Sequence, residues 1–175
     1  MKPELYMVFD VESVGLHGEG FAVGWKVVDG DGKHVAAAEY ACDPARADGD
    51  DAGRKWIAEN VRCMQGYNCA SPSHVRSEFW RAWEYAMKQG AVLVADCAWP
   101  VEARFLIDCV QDEPEKRMLE GPYPLHDLAS VFLAIGVDPT AHFDRLPNEL
   151  PIHSPAADAA QSARLLIAAL KGKQA

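Results

Sequence analysis

The residues best placed to do chemistry in this chain begin with Asp10 and Glu12, in the stretch Phe9-Asp10-Val11-Glu12-Ser13-Val14-Gly15-Leu16. Side chains alternate along a strand with period two, so both carboxylates leave the same side. Two adjacent carboxylates repel unless a cation sits between them, and a hard divalent ion with oxygen ligands is the natural partner. The plainer alternative is a pair of acids at a strand end facing solvent. A second group is His153-Ser154-Pro155-Ala156-Ala157-Asp158. A helix opening at Ser154-Pro155 puts Asp158 on the stripe continued by Ser162, Leu165 and Ala169, facing the sheet. An acid at the head of an apolar face is costly without a partner. A metal ion also held by Asp10 would satisfy it. His153 precedes the cap, in a segment free to lean over the same place, although an ordinary loop histidine is the plainer reading. A third acidic stretch is Ala95-Asp96-Cys97-Ala98-Trp99-Pro100-Val101-Glu102. Glu102 there can be read simply as a helix-start acid favoured by the macrodipole.

These groups need elements to carry them. The apolar run over residues 5–11 reads as a buried strand and residues 21–28 as a second. Asp29-Gly30-Asp31-Gly32 is a hairpin signal, so residues 34–40 return as a third strand and complete an antiparallel meander. Residues 42–53, rich in Asp, Gly and Pro, read as a loop, followed by a helix over 54–63. An amphipathic helix over 75–88 is closed by Gly90. The continuous apolar run 91–95 fits a central strand covered on both faces. Pro100 suits the first turn of a helix over 101–110. A short strand over 123–126 and a helix over 127–135 follow, with Asp127 as N-cap. The last helix runs from the Ser154 cap to about residue 170. Three antiparallel strands followed by alternating strands and helices make an α/β domain with a mixed sheet. No repeat or composition shift divides residues 1–175, so a single domain is expected.

Phe9 to Leu16 resembles the first motif of DEDD exonucleases, D-x-E-[TS]-x-G-L, and His153 to Asp158 resembles the H-x(4)-D motif of their DEDDh subgroup. The family includes ribonuclease T, oligoribonuclease and the proofreading subunit of DNA polymerase III. The middle motif departs from the pattern. The phrase Glu102-Ala103-Arg104-Phe105-Leu106 is similar to the oligoribonuclease version, but that version carries Asp where Glu102 stands. Asp96, at the strand end, competes for the same role. The resemblance implies a ribonuclease-H-like sheet flanked by helices, and an enzyme that releases nucleoside 5′-monophosphates from the 3′ ends of single-stranded RNA or DNA. It implies two Mg²⁺ or Mn²⁺ ions about 4 Å apart that clamp the scissile phosphate. Asp10 would bridge them, with Glu12, Asp158 and Glu102 or Asp96 completing the shell. His153 would be the general base, which requires a neutral imidazole. Backbone at Ser13 and Gly15 would approach the terminal nucleotide, with Leu16 wedged against its base, and Trp99 stands beside the site as a substrate contact. Relatives often work as dimers, which adds a homodimer to the expectations.

At 175 residues and 49% hydrophobic content, the chain suits one globular domain. A net charge of −9 argues against a coat for long duplex DNA, which needs dense Lys/Arg contacts, and favours short single-stranded ends. Bound divalent ions can supply the positive charge that the acids lack. The five cysteines form no CxxC pair, so neither a disulfide framework nor a zinc site is suggested. The first residues lack a signal-peptide pattern and no apolar run spans a bilayer, which makes a reducing cytoplasm the default expectation. Trp56, Trp80, Trp83 and Tyr85 read as core or subunit contacts, Arg145 as a solvated loop arginine, and Asp48, Asp50 and Asp51 as a solvated cluster. Two other functions compete. A catalytically silent ribonuclease-H-like binding module is favoured by the altered middle motif. A phosphatase of the haloacid-dehalogenase type needs a second Asp where Glu12 stands.

Overall fold

The computed structural model describes residues 5–172. β1 (Leu5–Ser13), β2 (Gly20–Asp29) and β3 (His34–Ala41) form the antiparallel meander. Asp29 Oδ1 accepts the amides of Asp31 and Lys33 and fixes the β2–β3 turn. After α1 (Asp51–Asn60) and α2 (Pro72–Lys88), β4 (Ala91–Ala95) joins β1 in parallel. A wide helical turn, Ala98–Glu102, leads into α3 (Ala103–Asp112) and the short α4 (Pro114–Arg117). β5 (His126–Asp127) pairs parallel to β4, then α5 (Leu128–Ala134) and α6 (Pro155–Leu170) complete the chain. The strand order is β3-β2-β1-β4-β5. This is the ribonuclease-H-like α/β topology, three antiparallel strands continued by parallel ones with helices on both faces. Among the described residues, no helix is long and apolar enough to cross a membrane.

Period-two alternation in β1 decides where the acids go. Met7, Phe9 and Val11 point into a core built with Phe79, Trp80 and Phe105. Tyr6 and Val8 point the other way, into a core with Leu128, Phe132, Leu165 and Leu166. Asp10 and Glu12 continue the Tyr6–Val8 row, so they emerge on the face covered by α6. Two glycines allow the helices to approach. A Cβ at Gly24, the register partner of Asp10, would lie 2.1 Å from the Pro155 carbonyl carbon, so α6 can start there only over a bare backbone. A Cβ at Gly53 would lie 2.7 Å from the Gly15 amide, which holds α1 against the Ser13–Gly15 turn.

Several boundaries differ from the sequence expectation. α1 starts at Asp51 rather than 54 because Asp50 caps it, accepting the Gly53 amide at 2.6 Å; the acidic cluster is a helix cap rather than merely a solvated loop. The helix expected over 101–110 begins at Ala103, since Trp99 has extended backbone inside the preceding turn (φ −121°, ψ 136°). The short strand falls at His126–Asp127, and Asp127 does cap α5, accepting the Ser130 amide. Trp80 and Trp83 are core residues, but Tyr85 is exposed and Trp56 half-exposed, so the core alternative is corrected for those two.

Candidate active site

Strand β1 delivers Asp10 and Glu12 at the end of a buried run, and β4 delivers Asp96 beside them. Phe9 pairs with Ala95 in parallel register, so the next residues, Asp10 and Asp96, leave neighbouring strands together. α6 crosses above, and Ser162 Oγ donates to Asp96 Oδ1 at 3.0 Å. The ligand atoms of Glu12, His153 and Asp158 all lie within 4.8 Å of one another, close enough to share a single ion. Residues separated by more than 140 positions in sequence are thus brought to one point. Asp10, Glu12, Asp96, His153 and Asp158 line a cleft of about 540 Å³, within the range that holds small ligands. Its rim carries Ser13, Gly15 and Leu16 from the β1 turn and Trp56 from α1. Leu16 is 68% exposed and Trp56 45%, which leaves apolar surface beside the acidic residues of the cleft.

The electrostatics show what the acids lack. Burial, then the charges of Asp158, Glu12, Glu102 and Asp96, push the Asp10 carboxyl well above the ordinary carboxylate range. Burial and the neighbouring Asp158, Glu102 and Glu39 push Glu12 to about 8. Glu102 is pushed by burial to about 7, opposed by its own amide and that of Val11. Burial also raises Asp96, against the Ser162 hydrogen bond. Asp158 rises through burial despite its bond to Arg145. A divalent ion held here would replace the protons that these groups otherwise retain. Hard oxygen donors with one imidazole suit a divalent cation. The donor set therefore fits.

The two contenders of the middle stretch occupy different places. Asp96 lines the cleft. Glu102 is buried, 6% exposed, is not among the residues lining the cleft, and acts on Asp10 and Glu12 through its charge. Trp99 is 71% exposed and is not among the residues lining the cleft.

Three contributors were not legible as site residues. Arg145 is not a solvated loop side chain: its Nη1 donates to Asp158 Oδ1 at 2.5 Å and to the Glu149 carbonyl at 2.8 Å. Trp56 meets the His153 ring edge-on, with centroids 5.0 Å apart and planes at 74°. His153 itself sits at φ +55°, a conformation rare outside glycine. Its carbonyl accepts the Arg62 amide at 2.9 Å, which helps to hold that turn. Glu39, buried on β3, accepts the amides of Gln65 at 2.9 Å and Ala156 at 3.2 Å, with Ser154 Oγ donating at 3.4 Å. The Glu39 carboxylate therefore caps α6 in place of the Ser154 side chain, which bonds no amide of its own helix. Comparison with known protein families and with curated proteins finds no match for this chain.

Proposed function

We propose that this protein is a divalent-metal-dependent 3′→5′ exonuclease that releases nucleoside 5′-monophosphates from single-stranded nucleic-acid ends. The observation that carries the reading is the meeting of Glu12, His153 and Asp158 within one ion's reach, beside Asp10, on a ribonuclease-H-like sheet. Asp10, Glu12 and Asp158, with Asp96 or Glu102, would hold Mg²⁺ or Mn²⁺. The ions, when bound, supply the positive charge that polarises a phosphodiester and offsets the five carboxylates. His153 accepts the proton of the attacking water at a ring nitrogen, and the edge contact with Trp56 keeps that ring aimed into the cleft. Leu16 and Trp56 form an apolar rim against which a terminal base can rest, while the strand end at Ser13–Gly15 passes the sugar. The net charge of −9 discourages long backbone contacts and favours short ends.

The deciding experiment is degradation of 5′-labelled RNA and DNA oligomers with Mg²⁺, with Mn²⁺ and with chelator. A ladder shortening from the 3′ end, abolished by chelator, is expected. A second reading, a catalytically silent binding module, draws on the glutamate at position 102, which is buried and absent from the cleft lining. Binding of oligomers without any cleavage under either ion would favour it.

A further inference from the structure

Among the Lys and Arg side chains of the described residues, Arg145 alone lines the cleft. Its contact with Asp158 is an ion pair whose side chains are 19% and 14% exposed, so it is largely out of water. The loop that carries it is fixed on both sides. Glu149, 1% exposed, accepts Arg164 Nε at 2.7 Å and Nη2 at 2.9 Å and takes the Leu146 amide at 2.9 Å. Arg164 Nη2 also donates to the Asp144 carbonyl at 2.7 Å. Residues 144 and 146 are thereby tied to α6, two turns beyond Asp158, and Arg145 is held at the cleft by design of its own loop. Only Nη1 of its guanidinium has protein partners among the described residues, which leaves Nε and Nη2 as unused donors on a group that lines the cleft.

We propose that Arg145 is a resident counter-ion for Asp158 that a bound divalent ion displaces, and that its guanidinium then serves as the ligand of the substrate phosphate. This rests on the metal-dependent reading above and adds a residue to it. Asp158 offers the atom that completes the group with Glu12 and His153. A cation held there and a guanidinium 2.5 Å from the same carboxylate repel strongly at low dielectric. The side chain can leave by rotating its own bonds, since the backbone on either side is anchored. A planar fork with free N–H donors matches a phosphate better than any other group in the cleft. The same residue thus pairs with a largely buried carboxylate before the ion arrives and meets the negative charge that arrives with the substrate.

The test is calorimetric titration of the full chain with Mn²⁺, followed by titration with uridine 5′-monophosphate at saturating Mn²⁺, for wild type, R145Q and R145K. If the guanidinium covers Asp158 about nine-tenths of the time, apparent Mn²⁺ affinity is held down about tenfold. R145Q should therefore bind Mn²⁺ about tenfold more tightly, and the nucleotide about tenfold more weakly. R145K keeps the charge but loses the fork and should show the same two signs at smaller size, which serves if R145Q does not fold. A purely structural role would loosen the site and weaken both ligands. Mn²⁺ affinity that is unchanged or weaker in the variants, or nucleotide affinity that is unchanged, overturns the proposal while wild-type Mn²⁺ binding leaves the metal reading standing. Failure of wild type to bind Mn²⁺ overturns both.

Discussion

Titrating the metal-free protein from about pH 5 to about pH 8 should lower its stability, because the cluster around Asp10 must then ionise with nothing to neutralise it. Glu12 and Glu102 have ordinary values of 4.5, yet the fold retains their protons until about 8 and about 7. Across that window the folded chain binds more protons than the unfolded one, so stability falls as pH rises. The contribution is complete below the lower value and lost above the higher. At about 1.36 kcal/mol per pH unit, the rise to about 7 corresponds to about 3 kcal/mol for Glu102 and the rise to about 8 to about 5 kcal/mol for Glu12. The two are not additive, since the charge of Glu102 is one cause of the rise at Glu12. A net loss of roughly 3–5 kcal/mol lowers Tm by roughly 6–20 °C in a domain of this size. Acids held below their ordinary values, such as Glu84 and Glu149, finish ionising below the window and do not mask it. Thermal melts followed by circular dichroism, in chelator and in Mn²⁺, read the effect. Mn²⁺ should restore most of the lost stability near pH 8 and little near pH 5, and Glu12→Gln should flatten the metal-free profile. A metal-free Tm that is constant or climbs over this range, or an equal response to Mn²⁺ at both ends, would refute the argument.

Asp10→Ala and Asp158→Ala should each abolish turnover while the far-ultraviolet spectrum stays native; full activity in either variant contradicts the assignment. His153→Ala should slow the chemical step roughly 10²–10⁴-fold with Mn²⁺ affinity reduced far less, measured by single-turnover kinetics beside calorimetry. Gly24→Ala places a methyl into the Pro155 backbone, so it should cost about 1–3 kcal/mol of overpacking and remove the stabilisation by Mn²⁺. A variant that keeps its full Mn²⁺ response would show that α6 docks without that close contact.

The parts of the site governed by local periodicity were legible in the sequence. Alternation in β1 put Asp10 and Glu12 on one face, and the apolar run of β4 was read at its observed bounds, Ala91–Ala95. The Ser154-Pro155 opening located α6, and its stripe aimed Asp158 at the sheet. What escaped depended on contacts that no local pattern encodes. Glu39 reaches the head of α6 from the edge strand β3, 115 residues earlier, so the cap was assigned to the neighbouring serine. Arg145 stands 13 residues before its partner across an irregular loop and carries no spacing signal. Trp56 was read as a core or subunit contact from the helical spacing of the aromatics, and its edge contact with the His153 ring, 97 residues away, leaves no mark on that spacing.

The placement of α6 has a consequence for the growing chain. All five strands are complete by Asp127, so the sheet can pair before residues 153–170 have left the ribosome. Until then Tyr6, Val8, Val28 and Val94 lack the cover that Leu165 and Leu166 later provide. The same interval leaves Asp10 and Glu12 without His153 and Asp158. A nascent chain at that stage carries an incomplete carboxylate–histidine cluster and is adhesive on one side, and a single docking event ends both conditions. Any chaperone that shields that bare face also delays the assembly of the Glu12–His153–Asp158 group.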